Sequence, residues 1–197
     1  WSAGARSATG GRRSIDLDYL APLLADSRVR WISLQLPPQS EQISRLPEGT
    51  CLDLSALQPN MCETGAIIMG LDLVITVDTS IAHLAGALGC PVWVMLPHVP
   101  DWRGQLHRED SPWYPAMRLC RQAILGDWRP VFQRMKTALV RMAEETTATN
   151  PSKAAVGEPV KMPKPTRTPR RKPRAKKPAN KKNKRKMILD NPTRIQE

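Results

Sequence analysis

The sequence predicts an α/β domain, a parallel sheet with flanking helices, followed by a disordered basic tail. Three observations predict it. Residues 71–97 run strand, helix, strand with very short joints. Short apolar runs at 29–34, 51–54 and 117–122 alternate with segments of helical spacing, the pattern of strands covered by helices. From Thr146 onward the apolar periodicity stops and Lys, Arg and Pro take over.

In chain order, residues 1–14 are polar and glycine-bearing and read as a loop. Ile15, Leu17, Leu20, Leu23 and Leu24 have helical spacing, with Asp16 near the start, where a carboxylate favours the positive helix end. Val29 to Leu34 reads as a strand, stopped by Pro37-Pro38. Gln35 follows at its carboxyl end, where ligands sit in open α/β sheets and where a glutamine is also simply exposed. Residues 40–46 suit a short helix and 51–54 a short strand. Glu63 to Leu71 reads as a helix leading into the central strand.

The central unit carries the chemistry. Leu73 to Val77 is apolar and β-branched, as in a buried parallel strand. Asp78, Thr79 and Ser80 then supply three side chains that commonly cap helices. Ile81, Leu84, Ala85 and Leu88 form a helical stripe, Gly89 suits the residue past its end, and Pro91 cannot continue it. Val92 to Leu96 is the next strand. A helix starting at the carboxyl end of a parallel strand points unpaired N–H groups and its positive dipole end into the sheet's crevice, a ready anion site. The hydroxyls of Thr79 and Ser80 add donors, while Asp78 would repel a phosphate and suits capping or a sugar hydroxyl. A structural strand–helix–strand unit that binds nothing is the plain alternative. His83 lies one turn into the helix among apolar neighbours, as a packed histidine would.

Pro97 to Pro115 is a long loop rich in Trp, Arg and Pro, a length that is usually functional or mobile. Trp102 suits stacking on a base or sugar face and Arg103 suits a phosphate, or both pack on the sheet edge. Met117 to Gln122 reads as a last strand. Val131, Met135, Leu139 and Met142 define an amphipathic helix ending near Glu145.

The segment Val77-Asp78-Thr79-Ser80-Ile81-Ala82-His83-Leu84-Ala85-Gly86-Ala87-Leu88-Gly89 resembles the signature in the C-terminal half of heptosyltransferase-like glycosyltransferases (family 9, GT-B architecture). It is more similar to the bacterial branch in which this domain follows tetratricopeptide repeats. Asp101-Trp102-Arg103, Asp110-Ser111-Pro112-Trp113-Tyr114-Pro115 and Gly126-Asp127-Trp128 resemble the same branch, and the similarity runs from Trp1 to about Ala143. The resemblance implies a Rossmann-like donor half that binds a nucleotide-diphosphate sugar without a metal or other cofactor. It places Asp78, Thr79, Ser80 and His83 at the donor, with Arg13 and Ser14 of the first loop near its phosphates and Gln35 and Thr64 near the nucleotide. Thr64 serves equally as a helix cap.

The sequence also departs from that family. Where relatives start Trp-Ser-Gly-Asn-Pro, this chain has Ala3, Gly4 and Ala5 after Trp1 and Ser2, and Gly104 stands where relatives have a Trp after Arg103. The resemblance implies that the acceptor, and usually the catalytic base, belong to an N-terminal half. The chain therefore reads as the donor half of an incomplete enzyme, active as a hexosyl- or heptosyl-type transferase when the acceptor half is supplied. The acceptor and the catalytic residues stay open.

Charge divides the chain into two expected regions, 1–146 and 147–197. Residues 1–150 hold 14 basic and 15 acidic side chains, net −1, whereas residues 151–197 hold 16 and 3, net +13. The second region lacks the apolar residues to form a core, so disorder is expected. Arg170, Arg171, Lys172, Arg174, Lys176, Lys177, Lys181, Lys182, Lys184, Arg185 and Lys186 suit nucleic acid, another polyanion or an anionic membrane surface, without sequence readout. The alternative reading of the whole is thus a non-catalytic relic with a polyanion-binding tail. Cys51, Cys62, Cys90 and Cys120 are widely spaced and read as small buried hydrophobes in a reducing cytoplasm, with no metal site. No basic start leads into an apolar stretch and no apolar run approaches membrane-span length, so a cytoplasmic location without a transmembrane segment is expected.

Overall fold

The structure is a computed structural model that describes residues 1–3 and 13–149. The expected loop at 4–12 and the tail from 150 onward, with its basic residues, lie outside the described residues. The described residues all belong to the first of the chain's two units, Trp1–Gly157 and Glu158–Glu197.

The architecture is α/β, with two small parallel sheets and flanking helices. β1 (Trp31–Ser33) pairs in parallel with β2 (Cys51–Asp53). The second sheet has the order β3 (Val74–Val77), β4 (Val92–Leu96), β5 (Met117–Arg121), all parallel, with Val74 opposite Val92 and Val92 opposite Met117. The helices are α1 (Ala21–Leu24), α2 (Met61–Met69), α3 (Ser80–Ala87) and α4 (Arg129–Thr149). The apolar runs of β3 and β4 are explained by packing on both faces. Val77 and Met95 join one core with Val131, Met135 and Leu139 of α4. Val74, Val92, Val94 and Leu96 join another with Ala82 and Ala85 of α3. Each such side chain contributes about 1.5–3 kcal/mol by leaving water.

Most predicted elements are present with shifted ends. The first helix is broken: Asp16 caps a 3₁₀ turn at Leu17–Tyr19, and α1 begins only at Ala21. Pro22 lies in the first turn of α1, where its missing N–H costs nothing, so the helix restarts there. Residues 39–45 form 3₁₀ rather than α-helix. The Asn60 carboxamide caps α2 by accepting from the Cys62 and Glu63 N–H groups at 2.9 and 3.0 Å, so that helix starts before Glu63. Gly89, at φ +72°, ends α3 in the left-handed conformation glycine adopts without strain. The long loop 97–115 holds one 3₁₀ turn, Trp102–Gly104. α4 runs on to Thr149, past the expected end near Glu145, with its apolar stripe on Trp128 and on Tyr19, whose ring stacks on Phe132 at 6.1 Å. No described helix is long and apolar enough to cross a membrane.

Candidate functional site

The carboxyl ends of β1 and β3 both meet the start of the chain. Ile15 N–H donates to the Trp1 carbonyl at 3.0 Å, which ties residues 13–15 to residues 1–3. The Ala3 N–H donates to Ser14 Oγ at 3.1 Å, and the Ser2 N–H donates to Gln35 Oε1 at 3.1 Å. Two predicted site residues, Ser14 and Gln35, therefore clamp the first residues over the end of β1.

At the end of β3 four groups converge. Asp78 is buried directly after the strand. Arg13 Nη1 donates to the Asp78 carbonyl at 2.8 Å and lies 3.8 Å from its carboxylate Oδ2. His83 Nε2 lies 3.7 Å from Oδ1 of the same carboxylate. The other ring nitrogen of His83, Nδ1, is 3.3 Å from the Tyr114 hydroxyl. Arg13, 65 residues from Asp78, thus joins Asp78 and His83 in one cluster beside the first turn of α3.

The first turn of α3 has no side-chain cap. Thr79 occupies the N-cap position in extended conformation, but its side chain makes no capping hydrogen bond. Its hydroxyl instead turns back to the strand, 3.3 Å from the Val77 carbonyl and 3.3 Å from Thr76 Oγ1. Ser80 is exposed. Of the two hydroxyls, Ser80 is therefore the one presented outward. The leading N–H groups of a helix without a side-chain cap, next to an arginine and a histidine, suit an anionic oxygen.

Other predicted residues lie elsewhere. Thr64 is buried inside the first turns of α2, where its hydroxyl donates to the Asn60 carbonyl at 3.0 Å. Trp102 is 67 % exposed, with the Arg103 guanidinium 4.8 Å over its ring and the Trp113 ring meeting it edge-on at 5.8 Å. Arg103 is also paired with Asp101 Oδ1 at 2.9 Å. Gly104 packs so closely on Leu96 and Pro100 that an added Cβ would lie 2.9 and 3.0 Å from them. The described contacts link this aromatic corner to the Asp78 cluster only through the adjacent Trp113 and Tyr114. A water-sized cavity of about 10 Å³ lies between the sheet and α4, lined by Trp93, Cys120 and Met135, and holds none of the predicted residues. Among the described residues, no group of three His, Cys, Asp or Glu side chains is placed to hold a metal ion.

Tyr114 was not among the predicted site residues. The signal for its place was Gly86, a glycine inside a helix, which marks a close approach. The Tyr114 ring sits there, and a Cβ on Gly86 would lie 2.5 Å from its Cγ.

No protein-family model matches the chain, and no solved structure matches it. A 144-residue stretch is 28 % identical to Protein FlbA of Caulobacter vibrioides. That match covers 71 % of this chain and 24 % of the relative, so the chain spans about a quarter of the length of the curated protein it matches.

Proposed function

We propose that the described domain is the donor half of a GT-B glycosyltransferase, similar to the heptosyltransferase-like family, and that it binds a nucleotide-diphosphate sugar. One observation carries the reading: Arg13, Asp78 and His83 converge beside an α3 N-terminus that has no side-chain cap, at the carboxyl end of a buried parallel strand. The diphosphate rests against the first N–H groups of α3 and the Ser80 hydroxyl. Arg13 and His83 donate to its oxygens. Asp78 lies between those two side chains and orients them, which leaves it little reach toward a sugar hydroxyl. The Thr79 hydroxyl shapes the turn and reaches a phosphate only by leaving Val77. Developing charge on the leaving diphosphate is stabilised by these preset donors. The acceptor and the catalytic base come from an acceptor half. The experiment is donor titration of the Thr79→Val/Ser80→Ala variant. Weakened binding by a folded variant agrees with the reading, and unchanged affinity refutes it.

The charge asymmetry favours a second reading, in which residues 151–197, net +13, bind a polyanion. Binding to DNA should reside in that segment and fall steeply with salt. Binding that survives its deletion refutes this reading.

A further inference from the structure

We infer that Tyr114 is a positioning residue, which directs the proton of the uncharged His83 ring to Nε2, the nitrogen facing Asp78. The inference rests on the donor-binding reading for its consequence and on the geometry alone for the tautomer. His83 and Gly86 are three residues apart on α3 and share a face. The Tyr114 ring lies against Gly86, where only a glycine leaves room. Its backbone is fixed as well, because the Tyr114 carbonyl accepts from the Met117 N–H at 3.0 Å as β5 begins. The phenol oxygen is thereby brought 3.3 Å from His83 Nδ1, with the two rings tilted at 56°.

The two partners of the imidazole differ in kind. A carboxylate only accepts hydrogen bonds, whereas a phenol can do both but is the stronger as a donor, so each partner favours the same tautomer. With Asp78 Oδ1 3.7 Å from Nε2, the arrangement in which Nε2 carries the proton is favoured. Nδ1 is then the acceptor, and Tyr114 donates to it. Arg13, the other charged group at the cluster, reaches Asp78 and leaves this assignment intact. His83 thus turns an N–H donor toward the Asp78 side. At 3.7 Å from Asp78 that N–H is beyond hydrogen-bond length, which leaves it for a phosphate oxygen at the first turn of α3.

The test uses the full chain with ¹⁵N-labelled histidine. The chain has three histidines, so the His83→Ala variant identifies the His83 signals. Long-range ¹H–¹⁵N spectra should show His83 as the Nε2–H tautomer, and Tyr114→Phe should shift it toward a mixture with Nδ1–H. Tyr114→Phe keeps the ring on Gly86, so a residue of merely structural role would leave the tautomer unmoved. Titration with UDP, ADP and GDP supplies the second readout. Tyr114→Phe should weaken the nucleotide that binds by about fivefold, the worth of one neutral hydrogen bond. The same change on the His83→Ala background should have no further effect, because the two residues act as one unit. An unchanged tautomer, or an equal loss on both backgrounds, overturns the inference. If the wild-type chain binds no nucleotide, the donor reading fails, and the tautomer alone decides the role of Tyr114.

Discussion

Replacing Gly86 by alanine sets two effects of opposite sign against each other. Alanine favours a helix interior over glycine by about 1 kcal/mol. The new methyl, however, would lie 2.5 Å from Tyr114 Cγ and 2.9 Å from its Cβ and Cδ1. Carbon atoms settle about 3.5–4.0 Å apart, so Tyr114 must retreat by about 1 Å. The atoms in the way are the root of the side chain, so turning the ring relieves little. The backbone of Tyr114 must move, and it is held by the hydrogen bond from Met117 at the start of β5. Overpacking of this kind costs about 1–3 kcal/mol. The clash therefore outweighs the helix gain, with a net loss of about 1 kcal/mol. In a domain of this size that lowers the thermal midpoint by about 2–4 °C. Thermal unfolding followed by circular dichroism measures it. A rise in midpoint would mean that the helix term wins, and would refute the seating of Tyr114 on Gly86.

Two further outcomes are expected. Asn60→Ala removes both hydrogen bonds that cap α2 and should cost about 1 kcal/mol in a denaturant titration, whereas Asn60→Asp should retain most of it. Burial pushes the Cys120 thiol from 9.0 up to about 11, against the opposing pull of Arg118 and Arg134, and burial with the nearby Asp53 does the same to Cys51. Between those values the unfolded chain holds fewer protons than the folded one. This contribution to stability is therefore complete below about pH 9 and is lost as the pH rises toward about 11. The denaturation midpoint should fall over that range, and a Cys51→Ser/Cys120→Ala variant should fall less.

The central unit was legible because its signals are local and mutually consistent. Val92–Leu96 has its expected bounds, since an apolar run between Pro91 and Pro97 leaves little choice. Gly89 marked the end of α3 through the one backbone conformation it alone adopts freely. The first helix misled because periodicity continues across Pro22 although the hydrogen-bond ladder cannot. Residues 40–46 satisfied the helix pattern over too few turns to exclude the tighter 3₁₀ form found at Gln39–Arg45. In the candidate site, Asp78 and His83 were legible from one motif, but their partners were not. Arg13 lies 65 residues from Asp78 and Tyr114 lies 31 from His83, and no local pattern encodes contacts at that distance. Gln35 and Ser14 also hold residues 2 and 3, contacts that no local pattern encodes either.

The proposed function stands or falls with nucleotide-diphosphate binding at the head of α3. The most direct test is calorimetric titration of the full chain with UDP, ADP and GDP and their sugar conjugates. Salt of about 0.3 M shortens the reach of the tail's charges to under about 8 Å and limits non-specific attraction. Saturable one-to-one binding of one nucleotide is expected, weakened by Thr79→Val/Ser80→Ala and unaffected by deletion of residues 151–197. Absence of binding by a folded chain, or binding that disappears with the tail, would contradict it.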